Sequence, residues 1–152
     1  MKKSMILTII FWLFAIPALA DSTTVVKQSQ FGVTQTLDRL EGALKKKGVT
    51  IFARINHAKG AKNANLVLPP TQLLIFGNPK LGTPLMQENG AIGLDLPMKV
   101  VAWQDSNSQV WLAYTKPSSM AKRHSITINK AIITKMSKVL NTLTNMAAGV
   151  KK

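Results

Sequence analysis

The chain has 152 residues, no cysteine, 20 lysines and arginines against 6 acids, and a formal net charge of +14. A chain of this size is expected to form one domain, thiol and disulfide chemistry are excluded, and so large a basic excess favours anionic partners whatever the fold. Residues 1–20 read as a secretory leader: Lys2 and Lys3 precede an apolar run from Met5 to Ile16, and Ala18-Leu19-Ala20 offers a small-x-small cleavage pattern. Pro17 breaks that run, which is shorter than the about 20 residues a spanning helix needs. The expectation is an exported protein, periplasmic in a bacterium, cleaved after Ala20 and forming a single domain over residues 21–152. Loss of Lys2 and Lys3 leaves 18 basic residues against 6 acids, a net charge of +12. Anionic partners for such a protein are lipopolysaccharide, an anionic membrane surface in weak association, or small anions. Nucleic acid is not expected.

Thr23–Ser29 is rich in β-branched residues and predicts a first strand. Val33, Leu37, Leu40 and Leu44 then recur at helical spacing, and Gly48 closes this helix as the residue after its C-cap. Lys45, Lys46 and Lys47 fall in the last turn, where positive charge complements the macrodipole, and Glu41 pairs with Lys45 at i,i+4. Val49–Asn56 predicts a second strand, and the small, polar stretch His57–Asn65 a short helix or exposed loop. Leu73–Phe76 reads as a fully buried strand. Gly77-Asn78-Pro79 is a turn, and Thr83-Pro84 matches a helix start with Thr as N-cap and Pro at N1, ending at Gly90. Strands follow at Met98–Gln104 and Gln109–Tyr114 around a polar hairpin loop, Asp105–Ser108. The last helix runs from Lys130 to Ala147 with Asn129 as cap. Its expected buried face is Ile132, Ile133, Met136, Val139, Leu140, Leu143 and Met146. The order of elements predicts an α+β layout with helices on one face of a sheet.

The blocks LLIFGNPKLGTPLM (73–86), GLDLPMKVVAWQD (93–105), VWLAYTKP (110–117) and AKRH (121–124) resemble the family known as domain of unknown function 302. The upstream helix ending LKKKG (44–48), followed by a strand and His57, fits the same pattern. The resemblance spans nearly all of the chain after the leader. Ser125 departs from it, standing where glycine is expected after His124. The resemblance implies a compact α+β domain, an antiparallel sheet packed against helices, related in outline to TATA-box-binding-protein-like folds. It implies no reaction, cofactor or ligand.

His57 and His124 are the two histidines, far apart and without metal-ligand spacing, so structural hydrogen bonding is expected of both, with no metal and no cofactor. Of the acids, Glu88 and Asp95 flank the glycine bends of this pattern, and Asp105 lies in the hairpin loop. Asp95 reads as a cap or backbone bridge in the Gly93–Pro97 loop. No GxSxG elbow or Walker-type loop is present, and the chain leans away from being an enzyme. A hydrolase or isomerase using Asp95 with His57 or His124 is the weakest alternative. Asn78, Lys80, Gly82 and Thr83 precede the expected helix N-terminus, where free N–H groups attract negative charge, and Lys99 adds a second cation. The competing account gives Asn78 and Thr83 turn and cap roles and leaves Lys80 solvated. Trp103 and Trp111 are expected in the core. The leading expectation is a non-enzymatic domain that binds a small anionic or amphipathic ligand through His57, Asn78, Lys80, Thr83, Asp95, Lys99 and His124. The alternative is a module that forms a homodimer or docks on a partner through its sheet, recognisable by apolar or aromatic residues on a solvent-facing sheet surface.

Overall fold

The computed structural model describes residues 22–150, so the expected leader lies outside the described residues. Strands β1 (Thr24–Ser29), β2 (Thr50–Asn56), β3 (Thr71–Gly77), β4 (Met98–Gln104) and β5 (Val110–Thr115) form one antiparallel sheet in the order β1-β5-β4-β3-β2. The helices are α1 (Val33–Lys46), α2 (His57–Asn63), α3 (Pro79–Glu88), α4 (Pro117–Arg123) and α5 (Lys130–Ala148), and a 3-10 turn covers Gly90–Leu94. The expected α+β architecture is the one observed.

Helix α1 follows its apolar stripe: Val33, Leu37, Leu40 and Leu44 are buried, and Gly48 adopts φ 68° after the C-cap residue Lys47. Those leucines meet Leu74, Val100 and Leu112 from the sheet and Leu140, Leu143 and Ala147 from α5 in one core. Both long helices therefore cover the same face. Full burial of each such leucine contributes about 1.5–3 kcal/mol.

One helix start differs in position from the expectation, and another lies where expected but is held in a different way. Helix α3 begins at Pro79, not after Thr83, because the Asn78 side chain accepts the Lys80 N–H at 2.9 Å and Pro79 stands at N1. Thr83 and Pro84 lie inside the helix. Helix α5 takes no side-chain cap from Asn129. The turn leading into it is held by the Glu88 carboxylate, which accepts N–H bonds from Thr127, Ile128 (2.8 Å) and Asn129 (3.0 Å) and the Asn129 side-chain amide at 2.9 Å. Partial burial would raise the Glu88 pKa, but these bonds prevail and hold it at about 2. The buried face of α5 is also rotated from the expected one. Thr144, Ala147 and Ala148 are buried, whereas Val139 and Met146 are exposed.

The strands carry apolar residues on both faces. Inward on β3 and β4 point Leu74, Phe76, Met98, Val100 and Ala102, all buried. The alternate positions Leu73, Ile75, Val101 and Trp103 stand on the outer face and are half-buried. β3 is thus buried on one face, not fully, and Trp103 and Trp111 are not core residues. They form a cross-strand pair on the outer face, with Trp111 Nε1 donating to the Asp105 carboxylate at 2.7 Å.

Candidate functional site

Where the C-terminal end of β3 meets the start of β4, the layers part and leave a cavity of about 440 Å³. Phe76 and Met98 form its floor, Leu44 and Val49 one wall, and Met136, Leu140 and Leu143 of α5 another. The remaining wall is α3 with the loop after the 3-10 turn, contributed by Gly82, Met86, Gly93, Leu96 and Pro97. The rim residues Phe52, Met86 and Val139 are exposed, so the cavity opens to solvent between β2, α3 and α5. The polar side chains in the lining are Asn78 and Thr83. Gly77 lies close under the rim: a Cβ there would stand 3.0 Å from the Phe52 ring, which would have to shift by a few tenths of an ångström.

Behind the loop wall, Asp95 joins two elements. Arg123 Nη1 donates to both carboxylate oxygens, at 2.8 and 2.9 Å, and His124 Nε2 lies 2.6 Å from Oδ2. His124 is 8% exposed, and its carbonyl accepts the Asn89 side-chain amide at 2.9 Å. Lys99 Nζ donates to the carbonyls of Asp95 (3.0 Å) and Pro97 (2.9 Å), bracing the same loop from the sheet. The cluster clamps the Gly93–Pro97 loop to the end of α4. Asp95 therefore bridges through its side chain to α4, where a backbone bridge within its own loop was expected.

The expected site residues fall into three groups. Asn78 and Thr83 line the cavity, while Lys80 is exposed and outside the lining. Asp95, Lys99 and His124 form the clamp behind its wall. His57 opens α2 beside Thr71, at the opposite end of β2 and β3 from Asn78, about 20 Å away at 3.3 Å per strand residue. His57 and His124 do not converge. The helix N-terminus read as an anion site has its Lys80 N–H taken by Asn78, and the Lys99 ammonium is held by carbonyls. Glu88 holds the turn that enters α5 and makes no carboxylate pair with Asp95. Among the described residues no three His, Cys, Asp or Glu side chains are grouped to hold a metal ion.

A histidine oriented by a carboxylate is half of an acid–base device, since the carboxylate fixes tautomer and ring position. Here both members lie outside the cavity lining, and Arg123 already engages both carboxylate oxygens. The apolar lining was the feature missed in the sequence. Its signal was present in Phe52 and Met86, apolar residues assigned to no buried face, whereas Val139 was placed on the buried face of the last helix and stands on the rim instead.

Fold and site together define a single-sheet α+β domain with helices on one face and an apolar cleft at one end. The chain belongs to the family described as domain of unknown function DUF302, whose model matches residues 25–143. It is similar to two proteins named fluoride-specific ion channel FluC 1, from Brucella suis biovar 1 (strain 1330) and Brucella abortus biovar 1 (strain 9-941). Each is 42% identical over 133 residues, 87% of this chain. The chain spans about half the length of those relatives, 52% and 49%. The crystal structure of an uncharacterized conserved DUF302 protein from Bacillus stearothermophilus shares the fold, with a TM-score of 0.74 at 22% identity, over 82% of this chain and 98% of that one. Among the described residues no helix is long and apolar enough to cross a membrane.

Proposed function

We propose that this domain is a non-enzymatic binding protein that takes an apolar or amphipathic small molecule into the cavity between α3, α5 and the Gly77–Pro97 end of the sheet. The observation that carries this reading is the cavity: about 440 Å³, apolar on nearly every side, and open through Phe52, Met86 and Val139. Small-molecule sites usually occupy about 300–1,000 Å³, with apolar walls and a few polar groups that orient the ligand. Protein interiors otherwise close to the density of organic crystals, so an apolar hollow of this size is the exception in a packed domain. Met86, Met98 and Met136 supply flexible, polarizable wall that adapts to ligands of varied shape. An amphipathic ligand would leave its polar end at the rim beside Asn78 and Thr83. The net charge of +14 favours anionic amphiphiles over cationic ones.

The proposal keeps the protein outside the cytoplasm, on the strength of the leader pattern in residues 1–20. The channel activity named for the curated relatives is not carried over, since the match covers only about half of each.

The test is native mass spectrometry of the chain purified from its own cells, followed by denaturation. An apolar or amphipathic mass released on denaturation supports the reading and identifies the ligand class. As a second measurement, the fluorescence of N-phenyl-1-naphthylamine should rise saturably with the protein. Gly82→Leu, whose side chain would project toward Leu96 in the lining, should abolish the rise while the fold persists. No released mass and no saturable fluorescence would overturn the proposal.

A further inference from the structure

The outer face of the sheet is covered by neither long helix and is built of apolar side chains in register. Val26, Ala113, Val101, Leu73 and Ile55 are consecutive cross-strand partners, one from each strand, and form a row across the full width of the sheet. The Trp111–Trp103 pair lies along one side of this row, and Ile75 and Ala53 along the other. Val26 and Ile55, at the two edges, are 53% and 40% exposed. An antiparallel sheet with one wet face ordinarily alternates apolar inward with polar outward. Here the outward positions of β3 and β4 are as apolar as the inward ones, the pattern of strands covered on both sides.

Charge distribution makes the face more unusual. Although the chain carries 20 lysines and arginines, Lys99 is the one charged side chain among the outward positions of the paired strands, and it is tied to the carbonyls of Asp95 and Pro97. The basic residues of both edge strands point to the helix side instead. On β1, Lys27 Nζ donates to the Asn141 carbonyl at 3.0 Å and to Thr144 Oγ1 at 2.7 Å, both on α5. On β2, Arg54 bonds Gln72, the Asp38 carboxylate and the Thr34 carbonyl, the last two on α1. Burial pushes the Lys27 ammonium down to about 8, so its inward direction costs free energy that an outward lysine would not.

We propose that a second copy of this chain covers the outer face, giving a four-layer helix–sheet–sheet–helix homodimer. Two observations select this occupant. First, a strongly basic chain repels its own copies, and this nearly neutral face is where two copies meet at least electrostatic cost. An anionic partner or membrane surface would instead be met by lysines, which the face lacks. Second, the face matches itself in shape and size. Sheets of like twist stack face to face at about −30° with interdigitated side chains. Five strands about 4.8 Å apart and about 20 Å long would bury on the order of 1,000 Å² in total, the threshold that specific interfaces clear. Val101, in the middle strand and the middle row, marks the centre of the two-fold contact.

Sedimentation of the purified chain at micromolar concentration should give twice the monomer mass. Val101→Lys, which places two ammonium groups near the axis, should weaken the dimer about 100-fold or more while the far-ultraviolet dichroism of the fold persists. A monomer throughout the micromolar range, or a dimer indifferent to Val101→Lys, would overturn the proposal. Should that variant fail to fold, the absence of native cysteine permits a decisive second arm. Val101→Cys should form a disulfide-linked dimer under mild oxidation much faster than Thr142→Cys, on the exposed side of α5. Equal rates would overturn the proposal as well.

Discussion

Leu73 and Leu74 are neighbours on β3, alike in chemistry and opposite in circumstance. Leu74 is wholly buried under α1, while Leu73 stands half-buried on the bare outer face. The same contrast separates Val100 from Val101 on β4. The domain's own long helices cover one hydrophobic face of the sheet, and the proposed dimer would cover the other. The cavity makes the contrast sharper. It is apolar and open to solvent like the outer face, but it is concave, and concavity suits a small ligand where flatness suits a second protein surface.

The largest effect should separate the two leucines. Leu74→Ala removes a core side chain with little room to relax and should cost about 2–5 kcal/mol in urea unfolding. Leu73→Ala, measured in protein dilute enough to be monomeric, should cost less than about 1 kcal/mol, since its neighbours on that face already meet water. Its effect should appear in the dimer constant, weakened by about tenfold. Equal unfolding costs for the two variants in dilute protein would show that the faces are not differently served.

The framework of the covered face was legible in the sequence, but the contrast between Leu73 and Leu74 was not, since Leu73–Phe76 reads as a strand buried on both faces. The apolar stripe of α1, Gly48 after its C-cap, the strand limits of β4 and the run Leu73–Phe76 all follow from side-chain period and turn chemistry, which are local. What was not legible depended on contacts between distant segments. Gly77-Asn78-Pro79 reads as a turn and Thr83-Pro84 as a helix start, yet the Asn78 side chain accepts the Lys80 N–H and the helix begins at Pro79. Asn129 is the N-cap residue of α5 but makes no cap bond with its side chain, and Glu88, 41 residues earlier, accepts its N–H and holds the turn. The Asp95–His124 contact spans 29 residues, and no spacing rule predicts it. Trp103 and Trp111 show the limit of composition: large aromatics on paired strands suggest a core, yet alternation alone cannot say which face of a doubly apolar strand is covered. Ser125, the departure from the family pattern, adopts φ 53°, so the position keeps the left-handed backbone that favours glycine even without it.

A smaller effect concerns how the covered side is held in place. Asp95 ties the cavity's loop wall to α4, so Asp95→Asn should loosen that wall without touching the lining. Loss of the carboxylate leaves the buried His124 ring with a weaker partner and releases Arg123, at an expected cost of about 1–3 kcal/mol. Hydrogen exchange of the amides from 90 to 99 should accelerate, while those of β5 and the outer row remain protected. Acceleration spread evenly over the sheet would mean that the clamp supports the whole fold and not the cavity wall.

The effect with the clearest signature should come from Glu88. Its carboxylate holds the turn that enters α5, the helix that closes both the core and the cavity. Hydrogen bonds from Ile128, Thr127 and Asn129 hold its pKa at about 2, below the ordinary 4.5, despite partial burial. A carboxylate depressed in the folded state stabilises fully above its unfolded pKa and loses that contribution as pH falls through the folded value. Glu88→Gln keeps the side-chain shape and one acceptor oxygen but has no charge to lose. The urea midpoints of the two proteins should therefore differ by a constant amount above about pH 4.5 and converge between there and about pH 2. The other acids are common to both proteins and cancel in the difference. A gap that stays constant to pH 2 would mean that shape and hydrogen bonding, not charge, anchor α5. The covered face would then be held in place independently of pH.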